Sequence, residues 1–67
     1  MNQIKVEYFR DGKPQTEILH GMRVGYRYDD PAPGRTTVWA NGPTEERTLI
    51  LNSAEVTVID MTIESGR

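Results

Sequence analysis

The sequence contains no cysteine and only one histidine, His20, in 67 residues. Without cysteine the fold cannot be cross-linked by disulfides, and a single histidine cannot complete a structural zinc site. The missing thiols also remove a cysteine nucleophile from any catalytic scheme. They fit a reducing compartment, so we expect a cytoplasmic protein.

Long hydrophobic runs are also missing. The N-terminal segment MNQIKVEYFR lacks the continuous apolar core of a signal peptide, and no stretch approaches the roughly 20 apolar residues of a membrane-spanning helix. We therefore expect a soluble chain without a membrane partner. Its length, with an apolar fraction of 36%, supports one small β domain over residues 1–67. The last three residues, 65–67, are predicted to form a frayed tail.

The chain has no strong excess of charge of either sign, because it contains 8 basic and 10 acidic residues and its net charge is −2. This balance disfavours a nucleic-acid binder that depends on neutralising phosphates. The charges are unevenly placed: residues 20–41 hold three arginines and two aspartates, whereas residues 45–64 hold five acids and one arginine. This polarity can orient a partner or a second copy, although a solvated acidic face is the simpler interpretation.

The residue sets that catalysis requires are also lacking. His20 precedes a glycine at a strand end, which favours an exposed structural histidine over a general base. Ser53 and Ser65 lie outside any nucleophile-elbow pattern. Asp29 and Asp30 lack the alternating oxygen ligands of a calcium loop, and no glycine-rich phosphate loop precedes a helix. We therefore predict no catalytic residues, no metal and no cofactor, and a protein that is not an enzyme.

Alternation of apolar and polar residues is the main structural signal. Residues 2–10 alternate as a half-buried strand does, and Asp11-Gly12 follows as a tight hairpin turn. Pro14 cannot donate a backbone hydrogen bond, so the second strand is predicted to begin after it, over residues 15–20. These two strands are expected to pair as a hairpin.

The alternation resumes over residues 22–28, where Gly25 suggests a bulge or a bend. The segment 29–35, DDPAPGR, is predicted to be a loop because its prolines restrict the backbone, with Gly34 in a left-handed conformation. Residues 36–41 form the next predicted strand.

Another turn is predicted at residues 41–43. A strand is predicted over residues 47–51, and its continuous apolar end indicates burial on both sides. Residues 52–54 fit a single 3₁₀ turn. The last predicted strand covers residues 55–64, and its apolar phase changes midway. Either both of its faces are covered or a bulge lies near Ile59-Asp60.

No segment shows a sustained helical period or an internal repeat. Five or six short strands in sequential order predict an all-β fold, a small antiparallel meander that forms a curved sheet or an SH3-like barrel. The SH3-like alternative follows only from the number of elements and the short turn before the last strand.

The hairpin from Arg23 to Asn41 is the best functional lead because it holds three of the five aromatic residues and three arginines. Tyr26 and Tyr28 should share one face, with Arg23 and Arg27 on the other. A core-lining role is the simpler interpretation for the tyrosines. Trp39 points outward if Val38 is buried; we favour a buried Trp39. The candidate binding residues are Arg23, Tyr26, Arg27, Tyr28, Arg35 and Trp39.

These observations favour a non-catalytic protein-interaction module that binds another protein through this hairpin or through an exposed strand edge. A homodimer would relieve the small core. Size and charge suit an accessory or inhibitor protein of phage or mobile-element type. Two alternatives remain open. One is a small barrel that binds single-stranded nucleic acid. The other is a structural subunit of a larger assembly.

Overall fold

The computed structural model describes residues 1–64 of the chain, so the predicted frayed tail 65–67 lies outside the described residues. Over residues 1–64 the fold is all-β, with six strands and one 3₁₀ turn; the alternation predicts five or six strands. The strands are β1 (Asn2–Arg10), β2 (Lys13–Gly21), β3 (Arg23–Tyr28), β4 (Arg35–Asn41), β5 (Glu46–Asn52) and β6 (Val56–Thr62), with the 3₁₀ turn Ser53–Glu55 before β6.

The strands form two antiparallel three-stranded sheets, ordered β2-β1-β6 and β3-β4-β5. Within residues 1–64 they do not close into one hydrogen-bonded barrel. The same residues contain no helix of the length and apolarity needed to cross a membrane.

The first hairpin confirms the predicted turn and corrects the start of β2. Asp11 (φ 54°) and Gly12 (φ 75°) both have positive φ, as two-residue hairpin turns of type I′ require. Strand β2 begins at Lys13 rather than at residue 15, and Pro14 lies inside it opposite Phe9. The expected exclusion of Pro14 is wrong because β2 is an edge strand, where a missing N–H need not interrupt the ladder.

Gly21 forms the corner at which the chain leaves the first sheet and enters the second. A Cβ at this residue would lie 2.7 Å from the carbonyl oxygen of Asn41, so only glycine allows this approach. The next amide, of Met22, donates to the same oxygen at 2.8 Å. The carbonyl of Met22 accepts from Asn2 Nδ2, also at 2.8 Å, so both sheets are fixed at this corner.

The 3₁₀ turn forms the second corner, one residue later than predicted. The backbone N–H of Ser53 donates to the carbonyl oxygen of Gly34 at 2.9 Å. The hydroxyl of Ser53 lies 2.6 Å from that of Thr36, which is fully buried in β4. These contacts hold the turn against β4 while the chain returns to the first sheet.

A bulge in the last strand explains its change of apolar phase. The pairing of β1 with β6 shifts by one residue between Glu7 and Tyr8, which leaves Thr57 as the extra residue. Val56 and Ile59 consequently both pack against the core. The bulge predicted near Ile59-Asp60 is therefore present, but it lies closer to the start of β6.

The core is small and lies between the two sheets. We call the sheet faces that contribute to it the inner faces, and the opposite ones the outer faces. Partly buried Val24 and Leu49 pack against the core from β3 and β5. The buried apolar residues are Ile4, Val6, Tyr8, Leu19, Val38, Ala40 and Leu51.

Candidate binding face

Trp39 lies on the outer face of the second sheet and not in the core. Its neighbours Val38 and Ala40 are buried on the inner face, and alternation along β4 directs the side chain between them outward. Trp39 is only partly buried. The favoured prediction of a core tryptophan is therefore wrong, and the alternative that follows from a buried Val38 is correct.

Trp39 packs across Gly25, the residue directly opposite it on β3. A Cβ at Gly25 would lie 2.8 Å from Trp39 Cε2 and closer still to Cζ2. The indole thus occupies the space that any other side chain at residue 25 would need. The glycine, which the sequence suggests is a bulge or bend, instead makes room for Trp39 on a regular stretch of ladder.

Two arginines flank the indole. Arg23 and Arg27 precede and follow Gly25 on the same face of β3, and the register places them opposite Asn41 and Thr37. Both are exposed. Diagonal neighbours across antiparallel strands lie about 7–8 Å apart, within reach of long side chains. The guanidinium groups can therefore surround the surface of Trp39.

Arg35 and Ile50 extend this face. Arg35 begins β4 in the same alternation as Trp39, and Ile50 lies opposite Thr37 on β5. The exposed fraction of Ile50 is 52%, although the sequence suggests a segment buried on both sides. Its alternation with Leu49 and Leu51 is the signal that could have identified it. We name this surface the Trp39 face; it comprises Arg23, Arg27, Arg35, Trp39 and Ile50.

The Trp39 face carries a local positive charge although the chain is acidic. In the three strands β3, β4 and β5, all within the described residues, one acidic side chain shares this face, that of Glu46. It lies opposite Asn41, at the end of the sheet away from Arg35. Three guanidinium groups therefore accompany one carboxylate on an outward surface.

Tyr26 and Tyr28 lie on the inner face, opposite Val38 and Thr36, as the alternation predicts. They do not fill the core, however, because β3 is an edge strand and its far end is uncovered. Their exposed fractions are 38% and 59%, and their rings make an edge-to-face contact with centroids 5.5 Å apart. The six predicted binding residues are thus divided between two faces of one hairpin.

The aspartates of the 29–34 loop are used to build the loop itself. Asp29 Oδ1 accepts from the backbone N–H of Gly34, whose φ of 81° is left-handed as predicted. The carbonyl oxygen of Asp30 accepts from the hydroxyl of Thr37 at 2.5 Å. Among residues 1–64, no three acidic or histidine side chains form a group that could hold a metal ion.

His20 is not among the residues that line the surface recess at the β4–β5 turn. His20 is exposed on β2, an edge strand. A surface recess of about 340 Å³ at the β4–β5 turn is lined by residues 41–46, which include two glutamates but no histidine.

Comparison of the chain with protein-family models, with curated proteins and with solved structures found no match.

Proposed function

We propose that this protein is a non-catalytic interaction module that binds another protein through the Trp39 face. The observation that carries the proposal is the position of Trp39, packed on Gly25 between Arg23 and Arg27 on an outward sheet face. Tryptophan and arginine, together with tyrosine, are enriched among the residues that dominate protein–protein binding energies. The adjacent exposed Ile50 adds apolar area.

The rigidity of this face supports the proposal. Trp39 lies in the central strand of its sheet, paired on both sides, so the backbone beneath it is fixed. Contact with Gly25 restricts the indole before any partner arrives. Binding then requires little further ordering, which reduces its entropic cost.

The charge of the face indicates the chemistry of the partner. Arg23, Arg27 and Arg35 are exposed, and an acidic surface is their complement. Five of the ten acidic residues of this chain lie at or after Glu45, so a second copy offers some of that chemistry. A different protein remains our proposal because the Trp39 face is itself basic, and a two-fold contact would bring its arginines together.

One observation favours the second candidate function, binding of single-stranded nucleic acid. The arginines and the aromatic ring of Trp39 share one face. Platforms for single strands stack successive bases on several aromatic side chains. The Trp39 face offers one, since Tyr26 and Tyr28 lie on the inner face. We therefore rank nucleic acid below protein.

We also propose an SH3-like arrangement for the scaffold. Two features support it: the continuous passage of β2 into β3 at the Gly21 corner, and the 3₁₀ turn that leads into a last strand beside β1.

An accessory or inhibitor role fits the basic Trp39 face, because the face would act by covering an acidic surface of the partner.

The proposal is tested with a photo-crosslinking amino acid at Thr48, which lies opposite Trp39 on the same outer sheet face and beside the Trp39 face. Thr16 is the matched control, an exposed threonine on the outer face of the first sheet. We expect protein adducts from residue 48 and none of the same mass from residue 16. The partner identified from these adducts is then purified on its own. It should bind the wild-type chain at least tenfold more tightly than it binds a variant carrying Arg27→Glu.

Three results would contradict the proposal. Adducts of equal yield from both positions would mean that the Trp39 face is not selective. Adducts with nucleic acid, combined with binding to a labelled oligonucleotide that weakens steeply with salt, would support the second candidate. Adducts only between copies of this chain would assign the face to self-association.

A further inference from the structure

The free edge of β3 is a second feature of the same hairpin. Within residues 1–64, strand β3 is the outermost strand of its sheet and pairs only with β4. Alternate residues of such a strand direct their N–H and C=O groups away from the sheet, where another strand can pair with them. The free edge begins after Met22, whose carbonyl oxygen already accepts from Asn2.

The charge along this edge differs from that along the other edges. Strand β3, RVGYRY, contains two arginines and no acid, whereas β2, β5 and β6 each contain an aspartate or glutamate. The first carboxylate after β3 in the sequence is that of Asp29, which accepts a hydrogen bond from the backbone N–H of Gly34 within the loop. An acidic segment thus meets two cations here and little repulsion.

Gly25 gives the added strand access to Trp39. Cross-strand neighbours have Cβ atoms about 4.5–5.5 Å apart, and Gly25 has no side chain to fill that position. The indole of Trp39 extends over Gly25 from the other side. A side chain opposite Gly25 on an added strand can therefore contact the indole directly.

The inner side of the same edge is apolar. Tyr26 and Tyr28 remain 38% and 59% exposed, and Val24 before them packs against the core. Residues of an added strand that face inward would cover these rings. Strand addition thus also removes the exposed aromatic area that the fold itself leaves uncovered.

We propose that the β3 edge binds an extended acidic segment of the partner as an additional strand. Acidic residues four positions apart face Arg23 and Arg27, and an apolar residue midway between them contacts Trp39. The two intervening residues are apolar and face Val24 and Tyr26. This inference rests on the proposed function and specifies the partner chemistry at the same site.

The test uses a synthetic peptide, Ser-Glu-Val-Ile-Val-Glu-Ser, blocked at both ends and labelled for fluorescence anisotropy. We expect saturable binding accompanied by a change in Trp39 emission. A variant carrying Arg23→Glu and Arg27→Glu should bind at least tenfold more weakly. The matched control carries Lys13→Glu and Arg47→Glu, which change the net charge equally at exposed residues outside the Trp39 face; it should bind as the wild type does.

Strand addition is separated from simple charge attraction by two peptides methylated at alternate backbone nitrogens. Only the set of N–H groups that faces β3 is needed, so one methylated peptide should lose binding and the other should retain it. Equal effects of the two methylation patterns would overturn the inference, as would equal affinity for a peptide with lysine in place of glutamate.

The same measurements distinguish a failure of this inference from a failure of the proposed function. If the peptide does not bind at 1 mM while crosslinking at residue 48 still yields a partner, strand addition at β3 is wrong and the Trp39 face remains the binding site. If residue 48 yields no partner either, both proposals are wrong.

Discussion

Gly25 and Trp39 lie directly opposite each other on β3 and β4, and the indole occupies the volume of the missing Cβ. This pair links the local conformation of an edge strand to the position of the main aromatic residue on the outer surface. Changing either residue should therefore alter the Trp39 face without altering the core.

Replacing Gly25 by Ala should displace the indole. The new Cβ would lie 2.8 Å from Trp39 Cε2, and the ring can move only toward solvent. We expect a red shift of tryptophan emission and a loss of about 1–2 kcal/mol in the free energy of unfolding, as for other overpacked sites. Chemical denaturation followed by fluorescence measures both. Gly12→Ala is not a suitable control because Gly12 has a positive φ. The preferred control is Thr48→Ala, on the same sheet face as Trp39.

The small core makes Leu19 the most informative position for stability. Leu19 is fully buried opposite Ile4, while its neighbour Ile18 is 45% exposed on the outer face. Leu19→Ala should cost about 2–5 kcal/mol, which is a large part of the stability of a domain this small. Ile18→Ala removes a similar side chain from the surface and should cost less than about 1 kcal/mol. Thermal unfolding measures the stability of both variants. Similar losses of stability for Leu19→Ala and Ile18→Ala would show that the inner face of β2 is misassigned.

The hydroxyl pair Thr36–Ser53 should stabilise the second corner. Replacing Thr36 by Val keeps its shape but leaves the partly buried hydroxyl of Ser53 without its partner. We expect a loss of about 1–2 kcal/mol, and a smaller loss once Ser53→Ala is added, because the unsatisfied group is then removed. A double-mutant cycle measures this coupling. Strict additivity of the two substitutions would contradict it.

Glu64 is the one described residue whose ionisation the structure clearly perturbs. A hydrogen bond from the N-terminal ammonium, together with its charge, lowers the pKa of Glu64 below its ordinary value of 4.5. The ionised pair therefore stabilises the fold above pH 4.5, and that contribution is lost as the pH falls through the lowered pKa. An NMR titration of the Glu64 carboxyl carbon should show the lowered value. Acetylation of the N-terminus should return it toward 4.5.

Much of the fold can be predicted from the alternation of side chains. The first hairpin, the 29–34 loop and the all-β class follow from period-two patterns and from turn residues such as Gly12 and Gly34, whose positive φ the structure confirms. The start of β2 at Lys13 cannot be predicted this way. It depends on β2 being an edge strand, which is a property of the assembled sheet.

The candidate face is harder to predict because its decisive contact crosses two strands. Alternation correctly separates Tyr26 and Tyr28 from Arg23 and Arg27, and it offers both orientations of Trp39. The choice between them depends on the burial of Val38 and on the space above Gly25, both of which require the β3–β4 register. The pattern does not identify Ile50 because an apolar run conceals which of its residues face outward.

The pairing of β1 with β6 also has a kinetic consequence. The hairpins β1–β2 and β3–β4 join residues that are close in sequence, whereas the pairing of Gln3 with Thr62 closes a loop that spans nearly the whole chain. Loop closure of that length is the entropically costly step, so we expect the hairpins to form before β6 docks on β1. Folding rates should then respond strongly to Leu19→Ala and weakly to Ile59→Val, and the opposite order would mean that the two ends of the chain meet first.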